Sequence, residues 1–294
     1  MPTQDKRLVG GYRSRVKLGS DPIFSPIGVF DSGVGGLSIL RALRAELPYE
    51  RFVYLADSGH APYGERGDAH VVARSRLLSA WLRQHHQIKA LVVACNTATA
   101  AAIHLLRAEH PALPIVGVEP AIKPAIAQSK TKRIAVLATR GTLASEKFNT
   151  LLASLANQAT FVCQPCDGLA DAIEQGTQTG DATEIEALCA HYTRVTGQFG
   201  IKEGEIDTLV LGCTHYPFAS ALLQTLVGQS VILLETGAPV ARQTRQLLGD
   251  AGLLSVSAPR GSGIDLLTTG SADTLQAAAQ RWLALEAPAQ NLSI

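Results

Sequence analysis

The sequence predicts an α/β fold of two similar lobes, each on a mainly parallel sheet, with a ligand site in the cleft between them. Three observations carry this expectation. Leu91–Thr99 reads LVVACNTAT, apolar residues that run into a cysteine, an amide and hydroxyls. A continuous apolar run of that length suits a strand buried on both faces, as in a parallel sheet. The stretch has a near copy at Thr208–Phe218, TLVLGCTHYPF. In addition, RIAVLATRGTLAS (133–145) can be laid over PIGVFDSGVGGLS (26–38), with the same small, aliphatic and hydroxyl positions in register. An internal repeat of this kind suggests facing lobes. The polar strand ends then fall at the carboxyl edges of the sheets, where open α/β folds bind their ligands.

In chain order, residues 1–25 form a basic arm with no clean periodicity, carrying Lys6, Arg7, Arg13, Arg15 and Lys17. Its plain reading is a loosely docked terminus; the sharper one is a regulatory arm that contacts an anionic ligand. From Pro26 the α/β rhythm begins: strand 27–30, the turn GVGG (33–36), and a helix over 37–47 with leucines at helical spacing. Strand 51–56 ends at Asp57, and a polar loop with turn-favouring proline and glycine follows. A helix over 70–84, the strand ending at Cys95, a helix capped by threonines and a strand at 115–118 complete the first series. The second series opens on the repeat at 133–145 and offers a strand and loop over 160–168, strands at 208–213 and 230–235, helices at 169–176, 181–199 and about 239–248, and a last strand-like piece and helix within 264–285. The expected division is 26–119 plus 229–294 for the first lobe and 120–228 for the second.

Composition narrows the class. The 294 residues are 46% apolar and 17% charged, enough to bury a core without staples. A net charge of +1 gives no broad surface for nucleic acid or an anionic membrane. Five cysteines, an odd number in a long chain, argue against a disulfide framework and for a reducing cytoplasm. No apolar run approaches the ~20 residues of a membrane span, and no export signal is expected.

Chemistry concentrates at the strand ends. A thiol can act as base or acid near neutral pH, its free pKa of ~8.5 being tunable by cations and helix N-termini. Cys95 and Cys213 both precede predicted helices, which would favour the thiolate. His215 stands two residues beyond Cys213, and an extended backbone there would point both side chains the same way for acid–base or nucleophilic work. Asp31, first polar residue after a buried strand, reads either as turn chemistry or as a proton-handling partner of Cys95. The GVGG turn lacks the third glycine of a dinucleotide fingerprint, and the preceding carboxylate would repel phosphates. Ser32, Tyr63, Gly64, Asn96, Thr97 and Thr214 supply neutral groups suited to orienting a carboxylate-bearing small molecule. Cys163 and Cys166 have redox-motif spacing without the rest of that pattern and read as structural. No zinc spacing occurs, so neither metal nor cofactor is expected.

These motifs in this order, VFDSGVGGLS, VYLADSGHAPYGER, VVACNTATA and VLGCTHYPF, resemble the cofactor-independent aspartate/glutamate racemase family, from about Pro26 to Leu285. His215 after GCT is similar to the glutamate-specific members, since related aspartate racemases typically have glutamate there. The resemblance implies a two-base interconversion of L- and D-glutamate that supplies peptidoglycan synthesis. On it, the thiol matching Cys95, helped by Asp31, deprotonates D-glutamate. The one matching Cys213, helped by His215, deprotonates L-glutamate. Glu174 matches a family glutamate near the second thiol. Asp31, Ser32, Tyr63, Gly64, Asn96, Thr97, Thr214 and His215 become substrate contacts. Some extended members are activated by a UDP-linked muramyl peptide such as UDP-muramyl-alanine, with which the basic arm is compatible, and a homodimer is allowed. The PYG core of the loop after Asp57 is intact although its flanks differ from the common family loop. Competing readings are a racemase of another acidic amino acid, a thiol hydrolase using Cys213 with His215, and a binding module with inert thiols.

Overall fold

Two all-parallel sheets organise the chain, seen in a computed structural model that describes residues 22–257 and 263–294. The first sheet takes strands β1 (Ile27–Asp31), β2 (Phe52–Ala56), β3 (Ala90–Val93) and β4 (Ile115–Gly117). The second takes β5 (Arg133–Ala138), β6 (Thr160–Pro165), β7 (Thr208–Gly212) and β8 (Ile232–Leu234). The chain then returns to the first sheet with β9 (Ile264–Thr268) and β10 (Ala289–Asn291). The orders are β10-β9-β2-β1-β3-β4 and β6-β5-β7-β8. The core order 2-1-3-4 of the first sheet is therefore repeated as 6-5-7-8 in the second. That repetition is the structural form of the sequence repeat, with β1 and β5 in equivalent places.

Burial on both faces explains the unbroken aliphatic runs. Side chains alternate between faces along a strand, and in β5 Ile134, Val136 and Ala138 enter one core while Ala135 and Leu137 enter another. Helices α1 (Leu37–Glu46), α2 (Asp68–His86) and α3 (Asn96–Glu109) follow the first three strands. Next come α4 (Ile122–Gln128), α5 (Arg140–Ala144), α6 (Glu146–Leu155), α7 (Leu169–Thr179), α8 (Thr183–Thr196), α9 (Ser220–Val227), α10 (Gly237–Asp250) and α11 (Ala272–Leu283). Leu40 and Leu43 of α1, Leu248 of α10 and Leu275 of α11 cover one face of the first sheet, and Leu78, Leu82 and Ile103 of α2 and α3 cover the other. In the second lobe α7, α8 and α9 pack on one face, α4 and α6 on the other. Among the described residues no helix is long and apolar enough to cross a membrane.

The expected division needs one correction. A return to the first lobe at residue 229 precedes β8, yet β8 pairs with β7 through Thr208↔Ile232 and belongs to the second sheet. An aliphatic run announces a strand without naming its neighbour. The terminal strand β10, pairing with β9, and helices α4, α5 and α6 also lie outside the expected elements. Of the amino-terminal arm, residues 1–21 lie outside the described residues; Pro22–Phe24 forms a single turn. Its middle residue Ile23 is tied down at the amino edge of the first sheet. There Lys89, just ahead of β3, pairs with Glu50 (2.5 Å) and donates to the carbonyls of Ile23 (2.5 Å) and Leu253 (2.8 Å).

Candidate active site

In each sheet two neighbouring strands are followed by connections that run to opposite sides, and ligands of open α/β sheets settle at such a switch point. In the first sheet it lies between β1 and β3, and Asp31 and Cys95 stand at those two strand ends. In the second it lies between β5 and β7, followed by Thr139 and Cys213. The two points face each other across one cavity. Ser32, Tyr63, Gly64, Cys95, Asn96 and Thr97 line it from the first lobe, Glu174, Cys213, Thr214 and His215 from the second. About 50 Å³ of it admits the centre of a water molecule. One water needs roughly 10–15 Å³, so the cavity is sized for a small molecule. Asp31 stands behind the lining, fully buried.

Each thiol begins a short chain of polar groups that ends in a carboxylate. Cys95 Sγ lies 3.7 Å from Ser32 Oγ, and that hydroxyl lies 3.5 Å from Asp31 Oδ1. Asp31 Oδ2 accepts the Gly36 N–H at 2.6 Å. Burial raises the Asp31 pKa to about 6, against the lowering effects of His215 and the Gly36 amide. On the other side Cys213 Sγ is 3.8 Å from His215 Nδ1, and His215 Nε2 is 3.0 Å from Glu174 Oε2. Burial works to lower the His215 pKa, but its hydrogen bonds to Cys213 and Glu174 outweigh this and hold it well above 6.5. For Glu174 burial raises the pKa, and the hydrogen bond and charge of His215, with Val34 N–H and Ser58, bring it below its ordinary value.

Two local expectations change. Cys95 does cap α3, its sulfur accepting the Ala98 N–H at 3.4 Å. Even so, burial pushes its pKa far up, the charge of Asp31 adds to this, and the amide and Ser32 recover only part. Desolvation exceeds the pull of a helix end, so Cys95 rests as a thiol rather than a thiolate. Beyond Cys213 the backbone is not extended: His215 has φ −77° and ψ −36° and leads into the single turn Tyr216–Ala219 before α9. The curled backbone, not strand alternation, brings the imidazole to the thiol.

The glycine turn acquires a physical reason. A Cβ on Gly35 would overlap the His215 imidazole, and one on Gly33 would overlap the Glu174 carboxylate. The first lobe thus presents bare backbone to two side chains of the second. Tyr63 reaches the cavity with its ring, while its hydroxyl donates to Asp57 (2.5 Å) and so is already committed. Thr97 Oγ1 meets Thr139 Oγ1 across the cleft at 3.1 Å. Asn96 is buried and its Oδ1 has no hydrogen-bond partner among the described residues. Such an orphaned acceptor beside a cavity suits an incoming N–H donor. Cys166 also lines the cavity wall, its thiol directed to the Gln164 carbonyl (3.5 Å).

Residues that the sequence reading missed surround the loop carrying Tyr63. Asp57 accepts two hydrogen bonds from Arg74 (2.9 and 2.7 Å) and one from Thr269 (2.8 Å) besides that of Tyr63. Ser58 donates to Glu174 Oε1 at 3.2 Å. The only early signal for them was the position of Asp57 at a strand end. Among the described residues no group of three or more histidine, cysteine or acidic side chains could hold a metal ion.

Comparison with known proteins places the chain in a family. Residues 37–243 match the family model described as Asp/Glu/Hydantoin racemase. A glutamate racemase of Ectopseudomonas mendocina is 50% identical over 231 residues, covering 79% of this chain and 85% of its own length. One from Herpetosiphon aurantiacus is 47% identical over 245 residues, 83% of this chain and 92% of its own. Among solved structures, a glutamate racemase of Bacillus anthracis superposes with a TM-score of 0.80 at 30% identity, covering 92% of this chain and 98% of that one. Escherichia coli glutamate racemase, in complex with L-glutamate and the activator UDP-MurNAc-Ala, gives 0.77 at 29% identity, covering 92% and 98%. The α/β fold of two parallel-sheet lobes expected from the sequence is the fold of these neighbours. The chain belongs to the Asp/Glu/Hydantoin racemase family.

Proposed function

We propose that this chain interconverts L- and D-glutamate by proton transfer between two thiols on opposite sides of the substrate Cα. The observation that carries the reading is the pair itself. Cys95 and Cys213 stand at equivalent strand ends of the two lobes, line one cavity, and each leads to its own carboxylate. Groups set on opposite walls can reach opposite faces of one carbon without moving, which a single base cannot do.

For L-glutamate, Cys213 as thiolate takes the Cα proton and becomes a thiol. The C–H electron pair passes to the substrate carboxylate, and Cys95 as thiol delivers its own proton to the other face and becomes a thiolate. D-glutamate reverses the roles. His215, charged and backed by Glu174, holds or returns the proton of Cys213. Ser32 with Asp31 does the same for Cys95. The free Asn96 Oδ1 suits the substrate ammonium, whose positive charge lowers the cost of a thiolate at Cys95. Hydroxyls of Ser32, Thr97 and Thr214, with Gly64 and the ring of Tyr63, orient the two carboxylates, and neutral donors stabilise the charge that develops as Cα loses its proton. The relatives' names support glutamate as substrate, and the Escherichia coli complex supports UDP-MurNAc-Ala as an activator. A cytoplasmic enzyme supplying D-glutamate to peptidoglycan is the role that fits. A hydrolase using Cys213 with His215 alone leaves Cys95 and Asp31 without work.

The test is loss of optical rotation from L-glutamate with no cofactor added, repeated with and without UDP-MurNAc-Ala. Racemisation is expected, with Cys95→Ser and Cys213→Ser each slowed roughly 10²–10⁴-fold. A native chain silent toward both enantiomers, or either serine variant at near-native rate, would rule the reading out.

A further inference from the structure

Glu174 belongs to the second lobe, yet most of what holds its carboxylate comes from the first. Oε2 meets His215 Nε2 at 3.0 Å and accepts the Val34 N–H at 3.3 Å. Oε1 accepts the Ser58 hydroxyl at 3.2 Å. We propose that Ser58 is a positioning residue for proton transfer at Cys213: reaching over the cleft, it fixes the carboxylate that orients His215. The inference rests on the racemase reading and adds to it a residue that touches neither thiol.

Ser58 is well placed for this. The preceding Asp57 is anchored by Arg74, Tyr63 and Thr269, so the backbone that carries Ser58 is held at strand β2's end. Gly270 packs so closely that a Cβ there would overlap the Ser58 Cβ. A glutamate on a helix has a long side chain with several rotatable bonds, and the bonds from His215 and Val34 both fall on Oε2, leaving the carboxylate free to turn about that oxygen. The Ser58 bond, to the other oxygen, fixes the plane, and catalytic geometry depends on such supporting contacts. Because the donor sits on one lobe and the acceptor on the other, closure of the cleft and alignment of His215 become a single event. The Cys95 side is spared, since its own chain of groups runs through Ser32 to Asp31.

This one-sidedness gives the test its readout. Removing the hydroxyl raises the barrier at Cys213 alone, the barrier nearer L-glutamate. In Ser58→Ala, kcat/KM is expected to fall about 10-fold in both directions together, the scale of one hydrogen bond to a charged group, with KM little changed. The deuterium isotope effect on kcat/KM should rise with α-deuterated L-glutamate and fall with the α-deuterated D-isomer. Ser58→Thr and Ser58→Val share a shape and differ in the hydroxyl, so Thr should behave as native and Val as Ala. Native-like kinetics in Ser58→Ala, isotope effects moving the same way for both isomers, or equal behaviour of Thr and Val would overturn the proposal. If the native chain racemised neither isomer, the reading beneath would fall and take the proposal with it. Racemisation by the native chain combined with any overturning result would defeat the Ser58 proposal alone.

Discussion

Asp31 is buried and has no ion-pair partner in contact among the described residues, and its ionised form is costly there. Burial lifts its pKa from 3.8 to about 6. A carboxyl raised in the folded state is destabilising once ionised: the chain loses stability as pH rises from about 3.8 through about 6 and stays at the lower level above that. At neutral pH the cost is about 3 kcal/mol. Asp31→Asn keeps an acceptor for the Gly36 amide and removes the charge. We expect it to be more stable than native at pH 7 by on the order of 1–3 kcal/mol, an advantage that shrinks as pH falls through about 6 toward 3.8. Its kcat/KM should be much reduced and should lack the fall below about pH 6 that native Asp31 imposes. Urea unfolding and a pH–rate profile check both halves; an Asn variant that is active and less stable would contradict this account. Trading stability for function is common at such sites. The sequence made Asp31, Cys95, Cys213 and His215 legible because chemistry-bearing residues directly followed aliphatic runs. It could not reveal that Cys95 rests as a thiol, because desolvation depends on neighbours far away in the chain.

At the scale of elements, the turn Gly33–Gly36 lies against side chains of the other lobe. Tyr54 donates to the Gly33 carbonyl at 2.8 Å and Ser38 to the Gly35 carbonyl at 2.9 Å, so the turn is braced from both sides, and Ser38 also reaches the Thr214 carbonyl of the other lobe at 2.8 Å. Gly35→Ala would set a methyl group against His215. It should leave the lobes folded while separating the imidazole from Cys213, with a loss of kcat of at least about 10²-fold, the effect of misplacing a catalytic group by about 1 Å. Circular dichroism and steady-state rates decide this, and a fully active Ala variant would show that the close approach is dispensable. The turn residues and the following helix were readable in order from the sequence. Their use was not, because it depends on side chains of the other lobe. Helix α7 was equally legible as a short helix, but the meeting of its Glu174 with His215 and Ser58 is tertiary.

Over the whole molecule, a repeated strand order sets two switch points face to face, and this is why two stretches far apart in sequence share one cavity. Alternating strands and helices made the class of fold legible. Strand β8 was assigned to the wrong lobe because register and partner are not written in an aliphatic run, and β10 was missed for want of one. The central claim is that the two walls of the cleft act on opposite faces of Cα. Its most direct test is racemisation of L-glutamate in deuterium oxide, with the isotope content of both enantiomers measured in the first few per cent of turnover. Two thiols on opposite walls predict D-glutamate carrying one solvent deuteron at Cα while the remaining L-glutamate keeps its protium. D-glutamate that retained the original Cα proton would contradict the account.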